Sequence, residues 1–177
     1  MEELFQYVCR ELESREIAYM VSGSVAMGAY TVARYTRDID LVIELTESQL
    51  DSFGAVFADP TKFYFRRPSA EEEVRRRGIF NVISQTSGFK IDFIVKKETP
   101  FPQSEFSRKR PGQIWNIDCW IISVEDLILA KLIWIQDLYS ENQSNDIRNL
   151  LMDNPDLDRV YLNKWITELR LNTLGLY

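Results

Sequence analysis

Asp38 and Asp40 flank one apolar residue, Ile39, and a Ser22-Gly23-Ser24 turn precedes them in the chain. In a strand, side chains at i and i+2 leave the same face, so the two carboxylates would project together while Ile39 turns to the core. Two unpaired carboxylates placed this way repel each other, and a divalent cation removes that cost. A Gly-Ser turn nearby can offer backbone N–H groups and a hydroxyl to phosphate oxygens. Metal-holding carboxylates and a phosphate cradle are the minimum kit for moving a nucleotidyl or phosphoryl group. Asp92 adds a third carboxylate, between Ile91 and Phe93, where no core-packing argument calls for an aspartate. If its strand neighbours that of Asp38 and Asp40, the three can converge on one or two Mg²⁺ ions, with Mn²⁺ as the alternative.

Composition narrows the remaining chemistry. The chain has 177 residues and no histidine, which excludes Ser-His-Asp hydrolysis, Cys-His proteolysis and His-based zinc sites. Acid–base and metal work falls to carboxylates, Lys, Tyr or water. Cys9 and Cys119 are too few and too scattered for a disulfide framework, so two reduced, half-buried thiols are expected. With 45% apolar and 12% aromatic residues, a substantial core is expected in one domain with a helical extension. No apolar run approaches a membrane span, and Met1-Glu2-Glu3 lacks the basic and apolar regions of a secretion signal; a cytoplasmic location is expected. A net charge of −6 argues against a broad nucleic-acid footprint. The basic run Arg75-Arg76-Arg77 follows Glu71-Glu72-Glu73 and reads as a solvated helix face with i,i+4 pairing.

These residues need elements to hold them. Leu4, Val8 and Leu12 recur at helical spacing and predict a helix over residues 2–15. A short buried strand over 18–22 ends at Gly23, and an Ala-rich helix follows over 25–33. The strand over 39–44 carries the two aspartates at its beginning, and Thr46 signals a helix through Phe57. Ser69 is expected to cap a helix over 71–77 that Gly78 ends. Strands over 79–83 and 90–95 read as a hairpin. Pro100, Pro102, Pro111 and Gly112 suggest a connecting region, with strand-like segments at 114–117 and 120–122. Ser123 caps a helix reaching about residue 139, and two more helices are expected over 144–152 and 158–169. The expected organisation is an α/β core over 1–122 with a helical segment over 123–177 packed on it.

The run over 21–45, VSGSVAMGAYTVARYTRDIDLVIEL, resembles the signature of DNA polymerase beta-like nucleotidyltransferases: an apolar strand, Gly-Gly or Gly-Ser, a helix, then Asp-x-Asp. Within that superfamily the chain is similar to the minimal nucleotidyltransferases and the abortive-infection (AbiEii-type) toxins. SVEDLILAKLIW followed by SNDIRNLL is similar to a helical signature of those proteins. The resemblance implies an α/β (α+β) fold, a mixed sheet flanked by helices with a C-terminal helical segment. It makes Gly23 and Ser24 the triphosphate-binding turn and Asp38 and Asp40 the metal ligands. Asp92 becomes the third acid, a metal ligand that also activates the attacking hydroxyl. Lys131 matches a lysine that points toward the triphosphate; from the sequence alone, it is the one charge on an apolar helical turn, and snorkelling would also explain it. Asp146 matches a later acid, for which capping or pairing within its own helix is an equal reading. Two departures stand out: Asn142-Gln143-Ser144-Asn145 replaces an arginine-rich stretch, and the larger helical domain of the longer toxins is missing.

The expected activity is metal-dependent transfer of a nucleoside monophosphate from a nucleoside triphosphate to a hydroxyl. The resemblance implies an acceptor on a partner protein or at a tRNA 3′ end, in a toxin–antitoxin or phage-defence setting with a cognate partner. The acidic charge favours a protein or small-molecule acceptor over tRNA. Two other readings compete: a non-catalytic, antitoxin-like module that binds nucleotide or partner, and an aminoglycoside-type small-molecule nucleotidyltransferase.

Overall fold

The computed structural model describes residues 1–32 and 34–177. Among them, seven strands form one mixed sheet in the order β3-β4-β5-β2-β1-β7-β6. The strands are β1 (Tyr19–Ser22), β2 (Asp38–Ile43), β3 (Phe63–Phe65), β4 (Ile79–Ser84), β5 (Lys90–Val95), β6 (Arg110–Ile114) and β7 (Ile117–Ile121). The helices are α1 (Glu2–Ser14), α2 (Gly23–Ala26), α3 (Leu50–Val56), α4 (Arg67–Arg76), α5 (Pro100–Ser107), α6 (Val124–Asp137), α7 (Glu141–Asp153) and α8 (Arg159–Glu168). This is the expected α/β architecture, a mixed sheet flanked by helices.

The period-two pattern of the central strands decides which face is core. On β2 and β5, Ile39, Leu41, Ile43, Ile91, Phe93 and Val95 are almost fully buried. They pair in parallel register, Ile39 with Ile91 and Leu41 with Phe93. Phe53 of α3 meets Phe93 edge-on at 5.0 Å between ring centroids and Phe80 of β4 at 5.5 Å. Each fully buried phenylalanine stabilises the fold by about 2–3 kcal/mol. This aromatic layer anchors β2 and β5 from one side and leaves their other face, carrying Asp38, Asp40 and Asp92, to the site.

Several expected boundaries shift. The helix expected over 25–33 is only α2 followed by a 3-10 turn, Met27–Ala29; the expected last residue, Ala33, lies outside the described residues. Tertiary anchors explain the early stop. The Tyr30 hydroxyl donates to the Ile122 carbonyl, and Asn154 donates to the Tyr30 carbonyl at 3.2 Å, pulling the chain toward α7. Ser69 does not cap α4, which begins at Arg67 with Pro68 in its first turn, a position that tolerates a missing N–H. Arg77, not Gly78, takes the left-handed conformation at its end (φ 53°). The supposed connecting region contains α5, which starts on Pro100 for the same reason. The strand expected over 114–117 straddles a tight turn: Trp115 and Asn116 both have positive φ, the two-residue geometry that fits the twist of a hairpin.

Helices α5, α6 and α8 are tied by a buried ionic knot. Arg108 Nε lies 3.0 Å from Asp126 Oδ2, and the Tyr161 hydroxyl donates to Asp126 Oδ1 at 2.5 Å. Beside it, burial pushes the Glu105 carboxyl up to about 8, reinforced by the charge of Asp126. The folded chain therefore holds that proton more tightly than the unfolded one, whose value is the ordinary 4.5. The contribution of Glu105 to stability is therefore full below about 4.5 and is lost as pH rises to about 8. Glu105→Gln is expected to remove that part of the pH dependence, with an advantage over the parent growing to the order of 2–4 kcal/mol near pH 8.5. Urea unfolding at several pH values checks this, and parallel slopes in the two proteins would contradict it.

Candidate active site

Strand register brings the three acids together. Asp40 faces Asp92 across the parallel β2–β5 pair, and Asp38 faces Lys90. Ser22 faces Asp40 from the antiparallel neighbour β1. Gly23 leaves β1 with φ +61° and passes so close to Asp40 that a Cβ on it would lie 1.8 Å from Oδ2. Only glycine fits that turn, because both the backbone angle and the approach exclude a side chain. Thr36 secures the start of β2: its hydroxyl accepts from the Asp38 N–H at 3.2 Å.

Electrostatics mark Asp40 as the strained member. Burial, then the charges of Asp92 and Asp38, push its carboxyl up to about 6, against partial relief from Lys131 and Lys90. Lys90 Nζ lies 2.8 Å from Asp92 Oδ2 and 3.5 Å from Asp38 Oδ1. Among the described residues, no three acidic, Cys or His side chains are gathered tightly enough to hold a metal ion as they stand. The donor set nonetheless fits a hard divalent cation: three carboxylates on one sheet face, one of them with its pKa raised by burial and then by its neighbours' negative charge. Asp38, Asp40 and Asp92 are the residues that would hold it.

Lys131 does not snorkel. It is buried, with Nζ 2.8 Å from Asp146 Oδ2 and 3.0 Å from Gln143 Oε1. Burial pulls its pKa below the ordinary lysine range, although the Asp146 carboxylate pulls the other way. Asp146 therefore pairs across helices and does not cap its own; it also holds Arg34, whose Nε lies 3.4 Å away. Lys131, Gln143 and Arg34 share one cavity of about 240 Å³ with Gly23, Ser24, Asp38, Asp40 and Asp92.

Sequence reasoning missed Arg34, Gln143 and Lys90. Arg34 supplies a cation to the side where Asn142-Gln143-Ser144-Asn145 stands in place of an arginine-rich stretch. It lies in an aperiodic segment that carries no signal. Gln143 was read only as part of that departure, yet from the first turn of α7 it accepts from Lys131. Lys90 was legible, since it precedes Asp92 by two and so shares its face. A larger cavity of about 600 Å³ adjoins the first across Ser24, Arg34 and Thr36, with Trp115, Phe89 and Glu3 among its other walls. Both cysteines are free and buried. Among the described residues, no helix is long and apolar enough to cross a membrane.

The sequence matches no protein-family model and no curated protein. The fold does match solved structures. The ANT(2″)-Ia complex with adenylyl-2″-tobramycin superposes with a TM-score of 0.59 at 13% identity, covering 95% of each chain. The lincosamide antibiotic adenylyltransferase LnuA, with lincomycin bound, gives 0.56 at 16% identity over 84% of this chain and 94% of that one. An antigenic nucleotidyltransferase-like protein from Paracoccidioides brasiliensis gives 0.50 at 16%, over 94% of this chain and 85% of that one. The chain thus has the fold of the nucleotidyltransferases.

Proposed function

We propose that this chain transfers a nucleoside monophosphate from a nucleoside triphosphate to a hydroxyl on a small molecule. The observation that carries the reading is the register of β2 and β5, which sets Asp40 against Asp92, with Asp38 on the same face, beside Gly23, Ser24 and Lys131. A bound Mg²⁺ would neutralise developing charge on the phosphate oxygens. The Gly23 backbone and the Ser24 hydroxyl line the cavity where the terminal phosphates would lie, and Arg34 and Lys131 offer positive charge from the same lining. Asp92 takes the proton of the acceptor hydroxyl as its oxygen bonds the α-phosphorus; the bond to the β-phosphate oxygen breaks and pyrophosphate leaves. Positioning and charge compensation supply most of the rate in such displacements.

The adjoining cavity supports the small-molecule acceptor. At about 600 Å³ it has the size of a ligand pocket, and it meets the first cavity at the wall that would carry the phosphates. Two of the solved neighbours, seen with an adenylylated aminoglycoside and with a lincosamide, act as precedent. The toxin–antitoxin setting, with a protein or tRNA acceptor, rests on the sequence resemblance alone. Incubation with each α-labelled nucleoside triphosphate, Mg²⁺ and a panel of aminoglycosides, lincosamides, tRNA and proteins tests the reading. Label on a small molecule is the expected result. Label confined to tRNA or protein would overturn the acceptor. No transfer, with metal-independent nucleotide binding that survives Asp38→Asn, would favour the non-catalytic module.

A further inference from the structure

We infer that Lys90 is a built-in counter-cation standing between Asp38 and Asp92, and that a divalent cation enters the site by displacing it. This rests on the metal-dependent reading above. Three observations support it. The parallel register puts Lys90 directly opposite Asp38, and its position two residues before Asp92 aims both side chains at one sheet face. Its ammonium spans the two acids, 2.8 Å from Asp92 and 3.5 Å from Asp38. Lys131, the lysine that lines the cavity holding these acids, is already held by Asp146 and Gln143, so it does not compete for the same carboxylates.

The ammonium can also leave. Lys90 is the first residue of β5, just after the turn containing Gly88, and its side chain is 37% exposed. An ion pair this open is held weakly, because water can take over the ammonium. A divalent cation brings two charges where the ammonium brings one, so the exchange runs toward metal once the ion is present. Lys90 then has two consequences for this chain. Without metal it holds the acids together against their mutual repulsion. With metal present it lowers the apparent affinity, so half-filling of the site needs a higher concentration of the ion.

The test is Mn²⁺ binding to the full chain without nucleotide, read by the loss of the free-ion paramagnetic resonance signal at pH 7.5. Lys90→Gln is expected to bind Mn²⁺ about ten-fold tighter or more than the parent, because a positive charge leaves the site. Lys90→Arg, which keeps the charge, should show no such gain. Adding Asp92→Asn to Lys90→Gln should cancel the gain, which a general change in surface charge would leave in place. Circular dichroism confirms that each variant is folded. Unchanged or weaker Mn²⁺ binding by folded Lys90→Gln would overturn the inference, as would absence of binding in both parent and variant. Label transfer by the parent alongside that result would leave the nucleotidyl-transfer reading standing, so the two can fail separately.

Discussion

Asp40→Asn is expected to lower nucleotidyl transfer by at least about 10³-fold while raising the stability of the metal-free chain. The loss follows from position. Asp40 is the acid at the centre of the cluster, facing Asp92 across the β2–β5 pair and pressed against Gly23. Asparagine has nearly the same shape, so the strand and its register should survive. The gain in stability follows from charge. Burial and the neighbouring Asp92 and Asp38 carboxylates hold the Asp40 pKa at about 6, above the ordinary 3.8. Because the folded value is the higher one, the contribution of Asp40 to stability is full below about 3.8 and is lost as pH rises to about 6. At neutral pH that penalty is on the order of 1–3 kcal/mol, and asparagine removes it. A thermal melt in chelator at pH 7.5, run beside the transfer assay, should therefore show a higher Tm and no activity. A lower Tm would point to a structural role for the carboxylate.

Gly23→Ala should cost nearly as much activity for a different reason. The new methyl would sit 1.8 Å from Asp40 Oδ2 and 2.9 Å from its Cβ, at a backbone angle of φ +61°. Relief requires Asp40 to rotate away, which removes its carboxylate from the face it shares with Asp92. The left-handed angle itself costs about 1 kcal/mol for alanine. The expected outcome is a folded protein with transfer reduced by about 10²-fold or more and a modestly lower Tm, since a misplaced group costs about that much. Activity within a few-fold of the parent would show that Asp40 need not stand where the turn places it.

What the sequence disclosed about this site depended on periodicity. Asp38, Asp40 and Asp92 stand out because they interrupt apolar strands on the same parity, but the pairing that unites them was legible only as a condition, and the β2–β5 register meets it. Lys131 was visible as a lone charge in an apolar helix, though its burial against Asp146 needed the packing of α6 on α7. Features set by tertiary contact left no such trace. Arg34 reaches Asp146 from a segment with no repeat, and α2 stops early because Tyr30 and Asn154 tie the chain elsewhere. Prolines misled in both directions: Pro100 and Pro68 were read as punctuation or passed over, whereas each sits in a first helical turn where its missing N–H costs nothing. The β6–β7 hairpin was blurred because Trp115-Asn116 lacks the glycine that usually marks such a turn.

The central claim is that this constellation transfers a nucleotidyl group. Paired reactions with α-labelled and γ-labelled nucleoside triphosphate, for the parent and Asp40→Asn, test it most directly. For the parent, the account predicts that α-label moves onto an acceptor while γ-label is released as pyrophosphate, and that the variant does neither. Transfer at equal rates by Asp40→Asn, or release of γ-label as orthophosphate with no α-label on any acceptor, would contradict it.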